Sequence, residues 1–258
     1  MRALAAVLVL VLGTTASRAS IETDRLVDAL GIPALIVAFS TEGIEAGSAI
    51  NDGILNGQGG DVWAETVRRL YDPARLDAEL RSAFAASLDP DVTAQALLFF
   101  ESDLGVRVVE FEVQARQAML NPELEAAARA APSAASKTIT AFLAVRDLVA
   151  RNADATLAAQ AAFFDGLAST ASRAVPVPDI EAQRENVVAE TESWLRGYYA
   201  LAQSPLGTDE VAIYNAFWDT DVGQALDDAL FEAFGASYAS LSYGLGQAAG
   251  RRLPQNEL

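Results

Sequence analysis

Apolar residues recur at steps of three and four along most of this chain. Val92, Ala96, Phe99 and Phe100 form one such series, and Leu104, Val108, Phe111, Ala115 and Ala118 form the next. Later, Val211, Tyr214, Phe217 and Trp218 repeat the first series, and Val222, Leu226, Leu230 and Ala233 repeat the second. Each series marks one face of an amphipathic helix. Between the members of each pair lies a short polar stretch. It reads Phe99-Phe100-Glu101-Ser102-Asp103-Leu104-Gly105 in the first case and Phe217-Trp218-Asp219-Thr220-Asp221-Val222-Gly223 in the second. Ser102 and Thr220 are residue types whose side-chain oxygen accepts from the free N–H groups of a helix start. Gly105 and Gly223 then fall in the first turn, where the missing Cβ allows a close approach. The stretch is expected to be an αα-hairpin corner sealed by its aromatic pair.

The remaining periodic runs and their breakers predict helices throughout. A short helix fits Ile21 to Gly31, and Pro33 to Leu55 continues as a second. Asp61 to Tyr71 follows the turn Gly57-Gln58-Gly59-Gly60. Asp72-Pro73, Asp89-Pro90 and Asn121-Pro122 each pair a capping residue with a proline suited to the first helical position. In the second half the reading is a helix from Ser136 to Arg151, with Phe142, Val145 and Val149 inward. Another runs from Ala155 to Ala171. Ala174-Val175-Pro176-Val177-Pro178 is an extended connector, and Asp179 or Ile180 opens a helix to Ala202. The last helix runs from Thr220 to Gly250, with a possible break at Gly235. No period-two strand pattern competes.

A second match supports an internal repeat. Val62-Trp63-Ala64-Glu65-Thr66 with Leu70 parallels Val187-Val188-Ala189-Glu190-Thr191 with Leu195. Its spacing to the corner is about two helical turns shorter in the second copy. The expected fold is therefore all-α, a helical bundle of two related multi-helix halves. The boundary falls at Ala131-Pro132, giving residues 20–131 and 132–258.

The N-terminus changes the picture. Met1-Arg2, an apolar run from Ala3 to Leu12 and a small-x-small ending at Ala19 read as a secretory signal over residues 1–19, cut after Ala19. The run is too short to span a bilayer as a helix, and no later run reaches that length. The expected address is the periplasm. What remains is long enough to bury roughly 70% of its unfolded surface. The net charge of −17 repels nucleic-acid phosphates and anionic lipids.

The chain holds no Cys and no His. Disulfides, thiol nucleophiles, Ser-His-Asp triads and His-based zinc sites are excluded. Gly57 to Gly60 lacks the Lys-Ser/Thr and preceding strand of a phosphate loop. Glu101 with Asp103 and Asp219 with Asp221 suggest twin cation sites, but the spacing of an EF-hand is absent. Glu110 with Glu112, Glu123 with Glu125, and Asp227 with Asp228 are the carboxylate pairs on offer; neighbours at such spacing point to different helix faces. Lys137, the single lysine, follows Ser136, yet Ala134 stands where a Ser-x-x-Lys nucleophile needs Ser. Tyr198 and Tyr199, beside Arg196, suggest aromatic anchors for a partner.

The aromatic pair followed by acid-Ser-x-x-Gly resembles the bacterial exported family catalogued as domain of unknown function 2059. The likeness covers Val62 to Met119, with Phe99, Phe100, Ser102 and Gly105 on the core motif, and more weakly Val187 to Ala239, where Trp218 and Thr220 depart from it. It implies a helical periplasmic module and carries no activity, cofactor or catalytic residue.

Two functions are expected from these features. One is a non-catalytic module, without cofactor or metal, that binds an envelope protein or an apolar ligand at Phe99, Phe100, Phe217, Trp218, Tyr198 and Tyr199. The other is a carboxylate-dependent hydrolase acting on an envelope polymer, which needs two carboxyls facing one cleft.

Overall fold

Three residue pairs that combine a cap with a proline each start a helix. Asp72 accepts from the Arg75 N–H at 2.9 Å, Asp89 from the Asp91 N–H at 2.8 Å, and Asn121 from the Glu123 N–H at 2.9 Å. Proline follows each cap at the first helical position, where its missing N–H costs nothing. A computed structural model describes residues 12–172 and 174–253, with side chains from residue 21 onward. Among them it is all-α. The helices are α1 (Leu12–Ala29), α2 (Ile32–Gly53), α3 (Gly60–Leu70), α4 (Pro73–Ser87), α5 (Pro90–Phe100) and α6 (Asp103–Ala118). They continue with α7 (Pro122–Ala130), α8 (Lys137–Val145), α9 (Leu148–Thr170), α10 (Arg184–Gln203), α11 (Thr208–Trp218) and α12 (Asp221–Gly250). Most of the signal assigned to residues 1–19 lies outside the described residues, and its expected cut after Ala19 falls within α1.

The two corners form as the pattern requires. Ser102 accepts from the Gly105 N–H at 3.1 Å and donates to the Phe99 carbonyl at 2.6 Å. Thr220 repeats both bonds, with the Gly223 N–H at 3.0 Å and the Phe217 carbonyl at 2.6 Å. One hydroxyl thus ties the start of α6 or α12 to the end of the helix before it. Removing it in Ser102→Ala is expected to cost about 1 kcal/mol, read as a lower denaturation midpoint at unchanged slope.

The second half departs from its expected boundaries. The run from Ser136 to Arg151 is not one helix. It breaks at Arg146-Asp147, where Asp147 adopts φ 49° and α9 begins at Leu148. Asp tolerates the left-handed conformation better than most residues, and the break frees Arg146 to turn inward. Val145, expected inside, is 47% exposed. Asp179 and Ile180 do not open α10; a 3-10 turn over Glu181–Gln183 precedes it. Nor does Gly235 break α12, which runs unbroken for 30 residues. A glycine costs about 1 kcal/mol in a helix interior, less than the packing that keeps this helix continuous.

That packing is chiefly against α9. The two helices run side by side in the same direction, from Arg151 beside Asp228 to Thr170 beside Gln247. A Cβ built on Gly246 would stand 2.0 Å from the Phe163 carbonyl oxygen, so the backbones nearly touch.

Apolar side chains gather in two cores. One joins Phe100, Val108, Met119, Phe142, Tyr214 and Leu226. The other joins Ile36, Trp63, Phe84, Leu167, Leu241 and Leu245. Each draws on residues from both sides of Ala131-Pro132, so the expected two halves do not form separate cores.

Candidate functional site

The two aromatic corners meet each other. Phe99 stacks on Phe217 with ring centroids 4.4 Å apart, and Phe100 presents its edge to Phe217 at 5.2 Å. Trp218 lies 5.9 Å from Phe100 and 6.1 Å from Tyr214. Phe100 and Trp218 are buried, and Phe99 and Phe217 partly so. Their faces are largely occupied by one another, in the offset and edge-on arrangements that aromatic quadrupoles favour. Tyr198 and Tyr199 also turn inward. Tyr198 stacks on Trp194 at 5.2 Å, and Tyr199 meets Phe142 edge-on at 4.8 Å.

Behind these rings lies a polar cluster of which the sequence points only to the carboxylates, Asp227 and Asp228. Arg146, at the end of α8, is buried with its guanidinium 3.7 Å above the Trp218 ring and 5.3 Å from Phe142. It forms an ion pair with Asp227, which is also buried. Arg151 reaches the other Asp227 oxygen at 3.5 Å and Asp228 at 2.9 Å. Burial alone would weaken the Arg146 charge, but Tyr199 and Asp227 outweigh it and hold its pKa above the ordinary value. The one trace of this in the sequence is that Asp227 sits on the buried stripe of α12, between Gly223 and Leu230. Spacing alone does not name its partner.

Glu112 belongs to the same region. Its side chain accepts from the Tyr214 hydroxyl, and its backbone carbonyl accepts from Tyr198 at 3.2 Å. Part of the residue reaches solvent, but its carboxyl end is enclosed by protein. Burial pushes this carboxyl up from its ordinary pKa, partly offset by the Tyr214 hydrogen bond and the Arg146 charge. A raised carboxyl binds its proton more tightly in the folded state, so it favours folding at low pH. The advantage fades as pH rises through the folded pKa. Glu112→Gln, which keeps an acceptor for Tyr214, is expected to be more stable than the native protein at neutral pH. The difference should shrink on acidification towards pH 4, in paired thermal melts.

The carboxylate pairs separate as their spacing dictates. Glu110 faces a surface cleft of about 480 Å³ while Glu112 points inward, and Asp227 is buried while Asp228 is exposed. Glu101 is held by Arg25 at 2.7 Å, and Asp103, Asp219 and Asp221 lie at the surface. Among the described residues, no three acidic side chains converge as a metal site would require. Ser136 caps α8 by accepting from the Ile139 N–H at 3.2 Å, and Lys137 is exposed. Glu125 and Glu190 flank a cleft of about 370 Å³, and Arg129 binds both, at 3.1 and 2.6 Å.

A smaller, more enclosed cavity of about 150 Å³ lies between α2, α4, α9 and α12. Ile36, Leu76 and Leu80 line it from one side of the Ala131-Pro132 boundary, and Phe231, Phe234 and Tyr238 from the other. No charged side chain lines it. The pattern of apolar positions along α2 and α12 marks these residues as core, and nothing in it distinguishes a filled core from a hollow one.

The chain matches no family model, and no curated protein or solved structure matches it.

Proposed function

We propose that this is a non-catalytic periplasmic protein that binds an apolar ligand between its two halves. The observation that carries this reading is the partly open, apolar cavity between α2, α4, α9 and α12. Ligand sites are concave and mostly apolar, with few polar groups, and this cavity has that character. The expected anchors at the corners, Phe99, Phe100, Phe217 and Trp218, serve in this reading to lock the halves together around it. The N-terminal signal pattern supports the periplasmic address. Among the described residues, no helix is long and apolar enough by itself to cross a membrane. The test is native mass spectrometry of protein purified gently from the periplasm, with solvent extraction of what it carries. A retained apolar small molecule supports the reading; a chain that emerges without one, or that stays in the cytoplasm, counts against it.

The hydrolase reading has one foothold, Glu125 and Glu190 beside a common cleft. Both are engaged by a single guanidinium, and the carboxyl with raised proton affinity, Glu112, lies elsewhere. A glycosidase pair needs its acid and its base or nucleophile across one bond. Loss of envelope-polymer cleavage in Glu125→Gln and Glu190→Gln would restore this reading; inert native protein would end it.

A further inference from the structure

Gly235 stands apart from the other glycines of α12. A Cβ on Gly223, Gly246 or Gly250 would lie between 2.0 and 2.5 Å from an atom of a neighbouring segment, so close packing explains each of them, and one on Gly244 would press on the Leu70 Cδ2 at 3.3 Å. A Cβ on Gly235 would meet nothing within 4 Å. The residue sits mid-helix, where glycine is unfavourable relative to alanine, and no backbone contact requires it. It shares a helix face with Phe231 and Tyr238, at spacings of four and three, and with them it lines the cavity between α2, α4, α9 and α12. The missing side chain therefore enlarges that cavity.

We propose that this cavity is a binding site for a single neutral aromatic ring, and that Gly235 is the residue that keeps it open. The inference rests on the apolar-ligand reading above and narrows it. Three observations carry it. The volume of about 150 Å³ matches that of a cavity known to accept benzene, although this one stays partly open to solvent. Four rings face it, from Phe39, Phe231, Phe234 and Tyr238. Phe39 meets Tyr238 edge-on at 5.7 Å, and Phe234 meets Phe84 at 6.4 Å, the edge-on contacts that aromatic rings favour. The lining holds no charged group, and its polar side chains are Ser237, Tyr238 and Asn152, of which Asn152 donates to the Leu148 carbonyl at 2.8 Å. A charged ligand would lose its hydration there without a free partner, since Arg151, whose guanidinium lies 4.0 Å from the Phe231 ring, is already paired with Asp227 and Asp228, whereas a ring bearing one hydroxyl has Ser237 and Tyr238 within the same lining.

Thermal melts with benzene, phenol, cyclohexane and benzoate test this. At ten times its dissociation constant, benzene or phenol should favour the folded state about elevenfold and raise Tm by about 3–6 °C. Cyclohexane should do less, and benzoate nothing. Gly235→Leu should abolish the response, and Ala155→Met, which fills the cavity from α9, should weaken it. Gly235→Ala checks that the position tolerates a side chain, with Tm rising by about 2–4 °C in the absence of ligand. A response unchanged in both filling variants overturns this site and leaves the wider reading standing. Cyclohexane or benzoate acting as strongly as benzene overturns the ring assignment. No response to any ring overturns the inference; the reading beneath it falls only if the native protein also comes from the periplasm carrying no apolar molecule.

Discussion

Asp227→Ala is expected to destabilise the protein by about 3–5 kcal/mol, the loss typical of one partner removed from a buried ion pair. Arg146 would be left with its charge enclosed between Trp218 and Phe142. The pair cannot simply separate into water, because Asp227 is 3% exposed and is held from both sides by Arg146 and Arg151. For a chain of this size the loss lowers Tm by about 6–20 °C. The informative control removes both charges. Arg146→Met with Asp227→Leu is expected to recover most of the stability, since apolar replacements of a buried pair are often neutral. A single Asp227→Ala that melts with the native protein would show that the cluster is hydrated and that Arg146 is not confined.

The second large effect is at the corners. In Gly105→Ala the new Cβ would stand 2.1 Å from the Phe99 carbonyl oxygen and 2.7 Å from the Phe100 Cα, both backbone atoms. In Gly223→Ala the corresponding distances, to Phe217 and Trp218, are 2.2 and 2.7 Å. A side chain can rotate away; a helix end must move as a body. Each substitution is expected to cost about 1–3 kcal/mol despite the better helix propensity of alanine. The two effects should also couple. Phe99 and Phe217 are stacked, so displacing one corner already loosens its contact with the other. The double variant is expected to depart from the sum of the singles by about 0.5–3 kcal/mol. Chemical denaturation of the four proteins in one cycle measures this. Alanine at either corner with undiminished stability would mean that the corners are not in this contact.

The same residues show what was legible before the fold was known. Ser102 and Gly105, with Thr220 and Gly223, announce a capped helix start after an aromatic pair, because capping and close approach are local and act within a few residues. The three proline-marked starts are legible for the same reason. Arg146 was not. In a run from Ile139 to Val149 it reads as one charged position in a helix, since nothing local reports that Asp227, 81 residues away, supplies the opposite charge. The break at Asp147 is also what lets Arg146 turn inward, so the missed partner and the misplaced boundary go together. The shared cores were hidden similarly: an apolar stripe states that a face is buried, not which helix covers it.

By itself, then, the order of residues determined the all-α class, most helix starts, the two corners, and the exclusion of thiol and imidazole chemistry. These follow from backbone propensity, capping and composition, which operate at short range. Tertiary packing alone decided that the corners stack on each other, that Arg146 and Asp227 meet in the interior, and that α2, α4, α9 and α12 leave a space beside Gly235. Those outcomes depend on the shapes of surfaces brought together from distant parts of the chain, and a cavity exists only once all its walls are in place.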